Sequence, residues 1–129
     1  MSRILLVEDN ELNRELLRTM LETAGYEVEE AANGMEAMAM LERRLPALIV
    51  TDMQMPLMSG AALLQAVRRQ PHLAKIKVLV VSAFAMRGDR ERALAQGFDG
   101  YLTKPVQKDE LREQIRALVE PATAGAELP

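Results

Sequence analysis

The sequence has no cysteine and no tryptophan, only two tyrosines and two phenylalanines, and a single histidine. Without thiols there are no disulfides, no thiolate metal site and no cysteine nucleophile. So few aromatics leave little for bases or sugar rings to stack on. Basic charge is also short. The 16 Lys and Arg against 19 Asp and Glu give a formal net charge of -3, which does not suit nucleic-acid binding by counter-ion release. Long apolar runs are missing too: Arg3 is followed by only four apolar residues before Glu8, and the other runs are strand-sized. Neither a transmembrane helix nor a secretory signal is predicted. What is present is a chain of 129 residues, 49% hydrophobic, which reads as one cytoplasmic globular domain.

Short apolar runs alternate with amphipathic stretches. Ile4-Leu5-Leu6-Val7 is too short for a helix and reads as a buried strand. Leu12, Leu16, Leu17, Met20, Leu21 and Ala24 then recur at helical spacing, with Asn10 placed to cap the helix and Gly25 to end it. Tyr26 to Ala31 fits a less buried strand, and Gly34 to Arg44 a second helix stopped before Pro46. Ala47 to Thr51 is a third strand, Asp52 to Gly60 a loop, and Ala61 to Arg69 a third helix. Lys77 to Val81 is a strongly buried fourth strand, followed by a helix from about Arg87 to Gln96. Gly100 to Thr103 is a short fifth strand, and Lys108 to Val119 a fifth helix. Five strands alternating with five helices predict a doubly wound (βα)5 fold whose parallel sheet is covered on both faces. Strand order 2-1-3-4-5 is the common solution, with ligands at the carboxyl edge by the switch point between strands 1 and 3.

The strand ends carry the chemistry. Strand 1 runs into Glu8-Asp9, strand 3 into Asp52, strand 4 into Ser82 and strand 5 into Lys104. Strands 1 and 3 are neighbours in this order, so three carboxylates converge and repel one another unless a cation joins them. Oxygen ligands without His or Cys nearby favour a hard ion, Mg²⁺ first. A hydroxyl at Ser82 and an ammonium at Lys104 are placed to hold an anion beside that ion, which describes phosphoryl transfer. Taken singly, each has a plainer reading. Glu8 and Asp9 suit the N-terminal end of a helix, Asp52 and Ser82 suit turns, and Lys104 suits an exposed surface. The combination is what favours a site.

The stretches Leu6-Val7-Glu8-Asp9-Asn10, Asp52-Met53-Gln54-Met55-Pro56 with Gly60, Val81-Ser82-Ala83 and Tyr101-Leu102-Thr103-Lys104-Pro105 resemble the receiver domain of two-component response regulators. The resemblance runs from about Arg3 to Val119, and Ser82 to Asp89 is most similar to single-domain cell-fate regulators and to receivers of hybrid histidine kinases. It implies a flavodoxin-like receiver domain over residues 1–120, with 121–129 as a flexible tail. It also implies that Asp52 accepts a phosphoryl group from a histidine kinase or histidine phosphotransfer protein. Asp9, Asp52 and the Gln54 backbone carbonyl would ligate Mg²⁺, Glu8 would act largely through water, and Ser82 and Lys104 would contact phosphoryl oxygens. Such a protein is a stoichiometric acceptor with self-catalysed phosphorylation and dephosphorylation, not a classical enzyme. Ser82 and Tyr101 would be the switch pair, and Lys104-Pro105 a cis peptide. A downstream protein would sense the face of helix 4, strand 5 and helix 5, the receiver being a monomer or weak dimer.

Other positions weigh less. Gln54 and Phe84 lie where this family tunes dephosphorylation. His72 reads as loop surface, and Arg87, Arg90 and Arg92 interleaved with Asp89 and Glu91 read as a solvated helix face. The nine Met read as core filling. A dinucleotide site is excluded, since Glu8-Asp9-Asn10-Glu11 stands where a glycine-rich turn belongs and would repel pyrophosphate. A small Mg²⁺-dependent phosphatase working through an aspartyl phosphate is the rival reading. It lacks the usual Asp-x-Asp pair, because Met53-Gln54 follow Asp52, and no cap segment is present. A module that is never phosphorylated would leave the strand-end set unexplained. With no DNA-binding or enzymatic unit after Val119, a stand-alone regulator is the expectation, a receiver cut from a longer protein the alternative.

Overall fold

The computed structural model describes residues 2–83 and 86–119. Phe84 and the tail expected over 121–129 lie outside the described residues. The elements alternate strictly: β1 (Arg3–Val7), α1 (Glu11–Thr23), β2 (Glu27–Ala31), α2 (Gly34–Arg43), β3 (Leu48–Asp52), α3 (Gly60–Arg69), β4 (Lys77–Ser82), α4 (Asp89–Gln96), β5 (Gly100–Thr103) and α5 (Lys108–Val119). The strands form one parallel sheet in the order β2-β1-β3-β4-β5. This is the predicted doubly wound topology, with β1 and β3 adjacent at the switch point.

Alternation along the central strands divides the core in two. Leu5 and Val7 of β1, Ile49 of β3, and Val78 and Val80 of β4 pack with Ala37 and Leu41 of α2, Leu63, Leu64 and Val67 of α3, and Ala93 of α4. Their neighbours Ile4, Leu6, Leu48, Val50, Leu79 and Val81 face the other way, onto Leu17 and Leu21 of α1 and Leu111 and Ile115 of α5. Central strands covered on both faces have no polar side to show, which is why they read as unbroken apolar runs. β2 lies at the edge and buries only Ala31 fully.

The ends of α1 follow the sequence reading: the Asn10 side chain accepts from the Asn13 amide at 2.9 Å, and Gly25 has φ 99°. The apolar stripe of α1 does not. Leu17 and Leu21 reach the sheet, whereas Leu12 and Leu16 are exposed. The two pairs each repeat at four-residue spacing, one position apart around the helix, and a helix lying on a sheet buries one such row. α4 starts at Asp89, two residues later than expected, because Gly88 has φ 88° and stands as the N-cap. Among the described residues, no helix is long and apolar enough to cross a membrane.

Candidate active site

β1 and β3 are paired through Val7 and Thr51, so the residues that follow them emerge side by side. Oxygens of Glu8, Asp9 and Asp52 all lie within 4.8 Å of one another. Their environments differ. Glu8 is buried at 1% exposure and Asp52 is 8% exposed, while Asp9 is open to solvent. Glu8 is fixed by its own turn: its Oε2 accepts from the Asn10 amide at 3.0 Å, and its backbone carbonyl accepts from the Arg14 guanidinium at 2.9 Å. Desolvation raises the Glu8 pKa above its ordinary value; the Asn10 amide works against that, Asp52 adds to it, and Lys104 opposes it.

Lys104 follows β5 and spans two strand positions to reach the cluster. Its Nζ lies 3.2 Å from Glu8 Oε1 and 3.3 Å from Asp52 Oδ2. Burial disfavours its charge, but the Asp52 and Glu8 carboxylates outweigh that and hold its pKa above the ordinary lysine value. The Lys104 amide donates to the Ser82 carbonyl at 2.8 Å, tying the ends of β5 and β4 together, and the Lys104–Pro105 peptide is cis. Ser82 is buried at the end of β4. Tyr101 is 7% exposed and lines a cavity of about 120 Å³ with Met53, Ser82, Asp89, Arg92, Ala93 and Gln96. Gln54 is exposed just beyond the acidic cluster.

The loop after Asp52 is held tightly against it. The Met53 amide donates to Val81 at 3.1 Å, and the Gly60 amide to the Met53 carbonyl at 2.7 Å. A Cβ at position 60 would stand 2.5 Å from the Asp52 carbonyl oxygen, so only glycine lets α3 begin there. Gly60 entered the sequence reading only as part of a motif, and this close approach is the reason for it. Two further supports carried no sequence signal. Arg14, outside the apolar positions of α1, bonds the Glu8 carbonyl and reaches Glu30 at 3.2 Å. Arg92 is exposed, as a solvated helix face requires, and together with half-buried Asp89 it also borders the cavity beside Ser82.

A buried acidic pair, an exposed third carboxylate, a shared lysine and a hydroxyl thus meet at the carboxyl edge of a 2-1-3-4-5 sheet, where doubly wound proteins place their ligands. The chain belongs to the response regulator receiver domain family, whose pattern it matches over residues 4–116. It is similar to the polar-differentiation response regulator DivK of Brucella anthropi, 38% identical over 114 residues that span 88% of this chain and 93% of that one. The signal receiver domain of a histidine kinase from Syntrophus aciditrophicus superposes with TM-score 0.85 at 35% identity, covering 94% of this chain and 92% of the other. The receiver domain of a Pseudomonas aeruginosa sensor histidine kinase, solved with magnesium in its active-site cleft, gives TM-score 0.83 at 32% identity over 92% and 97% of the two chains. The protein is thus a receiver domain of a two-component system, and neither its relatives nor its fold supports the phosphatase alternative.

Proposed function

We propose that Asp52 is the phosphoacceptor of this receiver, taking its phosphoryl group from a phosphohistidine on a histidine kinase or histidine phosphotransfer protein. The observation that carries this reading is the convergence of Glu8, Asp9 and Asp52 within 4.8 Å, with Lys104 bridging the buried pair. An Asp52 carboxylate oxygen attacks phosphorus, the new O–P bond forms as the N–P bond breaks, and the leaving imidazole keeps the electron pair. A carboxylate oxygen carries its own attacking electron pair, so this step needs no general base. Catalysis is then positioning and charge neutralisation, which makes the chain a self-catalysing stoichiometric acceptor.

The donor set fits a hard divalent cation, since its side-chain oxygens are carboxylates and one of them, Asp9, faces solvent. Asp9, Asp52 and the Gln54 carbonyl are the proposed Mg²⁺ ligands, with Glu8 acting largely through water. When bound, the ion neutralises charge on the transferring phosphoryl oxygens. Lys104 is already within 3.3 Å of Asp52 and is assigned to the same oxygens, together with the Ser82 hydroxyl. Ser82 and Tyr101 are the proposed switch pair. The burial of Tyr101 beside the Ser82 cavity supports an inward position for its ring. We assign the output contact to the α4-β5-α5 face, and the working location to the cytoplasm.

Incubation with Mg²⁺ and acetyl phosphate, followed by intact mass measurement, tests the reading. One added phosphate is expected in the wild type, none in Asp52→Asn, and none in the presence of EDTA. An unchanged wild-type mass under conditions that label another receiver would overturn it. Release of many phosphates per chain from small esters would favour catalytic turnover instead.

A further inference from the structure

α4 is the most lightly anchored helix of the fold: of its eight residues only Ala93 is buried. Its start is held by the Asp89 side chain as well as by the backbone bond from the Asp89 amide to the Met86 carbonyl at 3.1 Å. Asp89 Oδ2 accepts from the Met86 amide at 2.8 Å, and Asp89 Oδ1 pairs with the Arg92 guanidinium. Arg92 is exposed, yet its guanidinium is held by Asp89 at the start of the helix. It folds back along the helix, so that a Cβ at Gly88 would stand 3.0 Å from its Nη1 atom. That posture brings the Asp89–Arg92 pair to the wall of the 120 Å³ cavity that Ser82 and Met53 also line. Met53 directly follows Asp52 in the chain.

Charge makes this placement consequential. A phosphoryl group on Asp52 replaces a singly charged carboxylate with a group of about two negative charges and three further acceptor oxygens. The net gain is about one charge, beside a lysine already divided between Glu8 and Asp52. Of the described residues lining the cavity beside Ser82, Arg92 is the one cation, and Asp89 is the carboxylate that occupies it. Arginine suits such an exchange, because its fork of donors serves carboxylate and phosphoryl oxygens equally well.

We propose that Arg92 is a phosphoryl-responsive switch residue, held by Asp89 in the unmodified protein and drawn from Asp89 toward the modified Asp52. The exchange frees the Asp89 carboxylate that organises the start of α4, and so couples charge on Asp52 to that helix. The proposal rests on Asp52 as phosphoacceptor and deepens that reading. No new chemistry is involved; one ion pair is traded for another.

Titration with beryllofluoride in Mg²⁺, which mimics a phosphoryl group on a carboxylate, separates this from a merely structural clasp. Without tryptophan, the emission of Tyr101 in a Tyr26→Phe background reports binding. Asp89→Ala removes the competitor and is expected to tighten binding about fivefold or more; Arg92→Ala removes the responder and is expected to weaken it by a similar factor. Arg92→Lys should fall between Arg92→Ala and wild type. Asp89→Asn, which keeps an acceptor for the Met86 amide, guards against a folding defect in Asp89→Ala and should also tighten binding. Shifts of Asp89→Asn and Arg92→Ala in the same direction, or no shift in either, would overturn the proposal. Failure of the unaltered protein to bind beryllofluoride would instead overturn the phosphoacceptor reading beneath it.

Discussion

The ammonium of Lys104 lies 3.3 Å from Oδ2 of Asp52, and the same nitrogen is 3.2 Å from Oε1 of buried Glu8. One cation therefore offsets two carboxylates that the fold forces together. Replacing it with a neutral side chain of similar length, Lys104→Met, leaves Glu8 without its cation in a buried position. The expected cost is about 1–3 kcal/mol in metal-free buffer, read from urea unfolding. Glu8→Gln combined with Lys104→Met should recover much of the loss, because the two changes are coupled. A double variant as unstable as the sum of the singles would show that the pair is not the cause.

Glu8 also sets a pH dependence whose sign is opposite to that of most carboxylates. Desolvation holds its folded-state pKa above the ordinary value, so the folded protein retains this proton to higher pH than the unfolded chain does. Stability then falls as pH rises from the ordinary glutamate range through the raised folded-state value. In EDTA, lowering the pH from neutral toward that range is expected to raise the urea midpoint. Glu8→Gln should remove this part of the slope. The raised pKa of Lys104 contributes stability below the ordinary lysine range that is lost only above it, so it adds no slope near neutrality.

Most of the architecture was legible because the central strands are covered on both faces. Ile4 to Val7, Leu48 to Val50 and Val78 to Val81 could stay apolar without break, and each ended at a residue of different chemistry. Asp52, Ser82 and Lys104 stood out for the same reason: a parallel sheet brings every strand's carboxyl end to one edge. What periodicity could not supply was rotation and reach. The row Leu12 and Leu16 is as apolar as Leu17 and Leu21, and only the line of helix–sheet contact decides which is buried. The roles of Arg14, Asp89 and Arg92 depend on where a long side chain folds back, and spacing along the chain carries no sign of that.

Arg68 is another such residue, at the opposite edge of the sheet. Its guanidinium donates to the carbonyls of Ala74 at 3.1 Å, Ile76 at 2.7 Å and Gly97 at 3.3 Å, and pairs with Asp99 at 2.9 Å. Asp99 in turn accepts from the Val78 amide at 2.8 Å. One side chain thus satisfies the turns that lead into β4 and β5. Arg68→Ala is expected to cost about 2–3 kcal/mol, since it strands charged and backbone acceptors together. Asp99→Asn keeps an oxygen for Val78 and should cost less. Both variants should still accept phosphate at Asp52 when folded, which intact mass after acetyl phosphate treatment would check.

Leu57 is the one described non-glycine residue with positive φ, at 70°, and it is 91% exposed. The Met58 amide donates to the Pro56 carbonyl at 2.7 Å across it, closing a three-residue turn. A left-handed backbone costs any residue with a Cβ about 1–2 kcal/mol. Leu57→Gly removes that cost and loses almost no buried surface, while the added freedom of glycine in the unfolded chain takes back about 0.5–1 kcal/mol. The net expectation is a stabilisation of about 0.5–1 kcal/mol, or roughly 2–4 °C in Tm. Leu57→Ala keeps the strained backbone and should leave Tm nearly unchanged. Calorimetry on the three proteins decides: an alanine variant as stable as the glycine one would mean that the side chain, not the backbone, carries the cost.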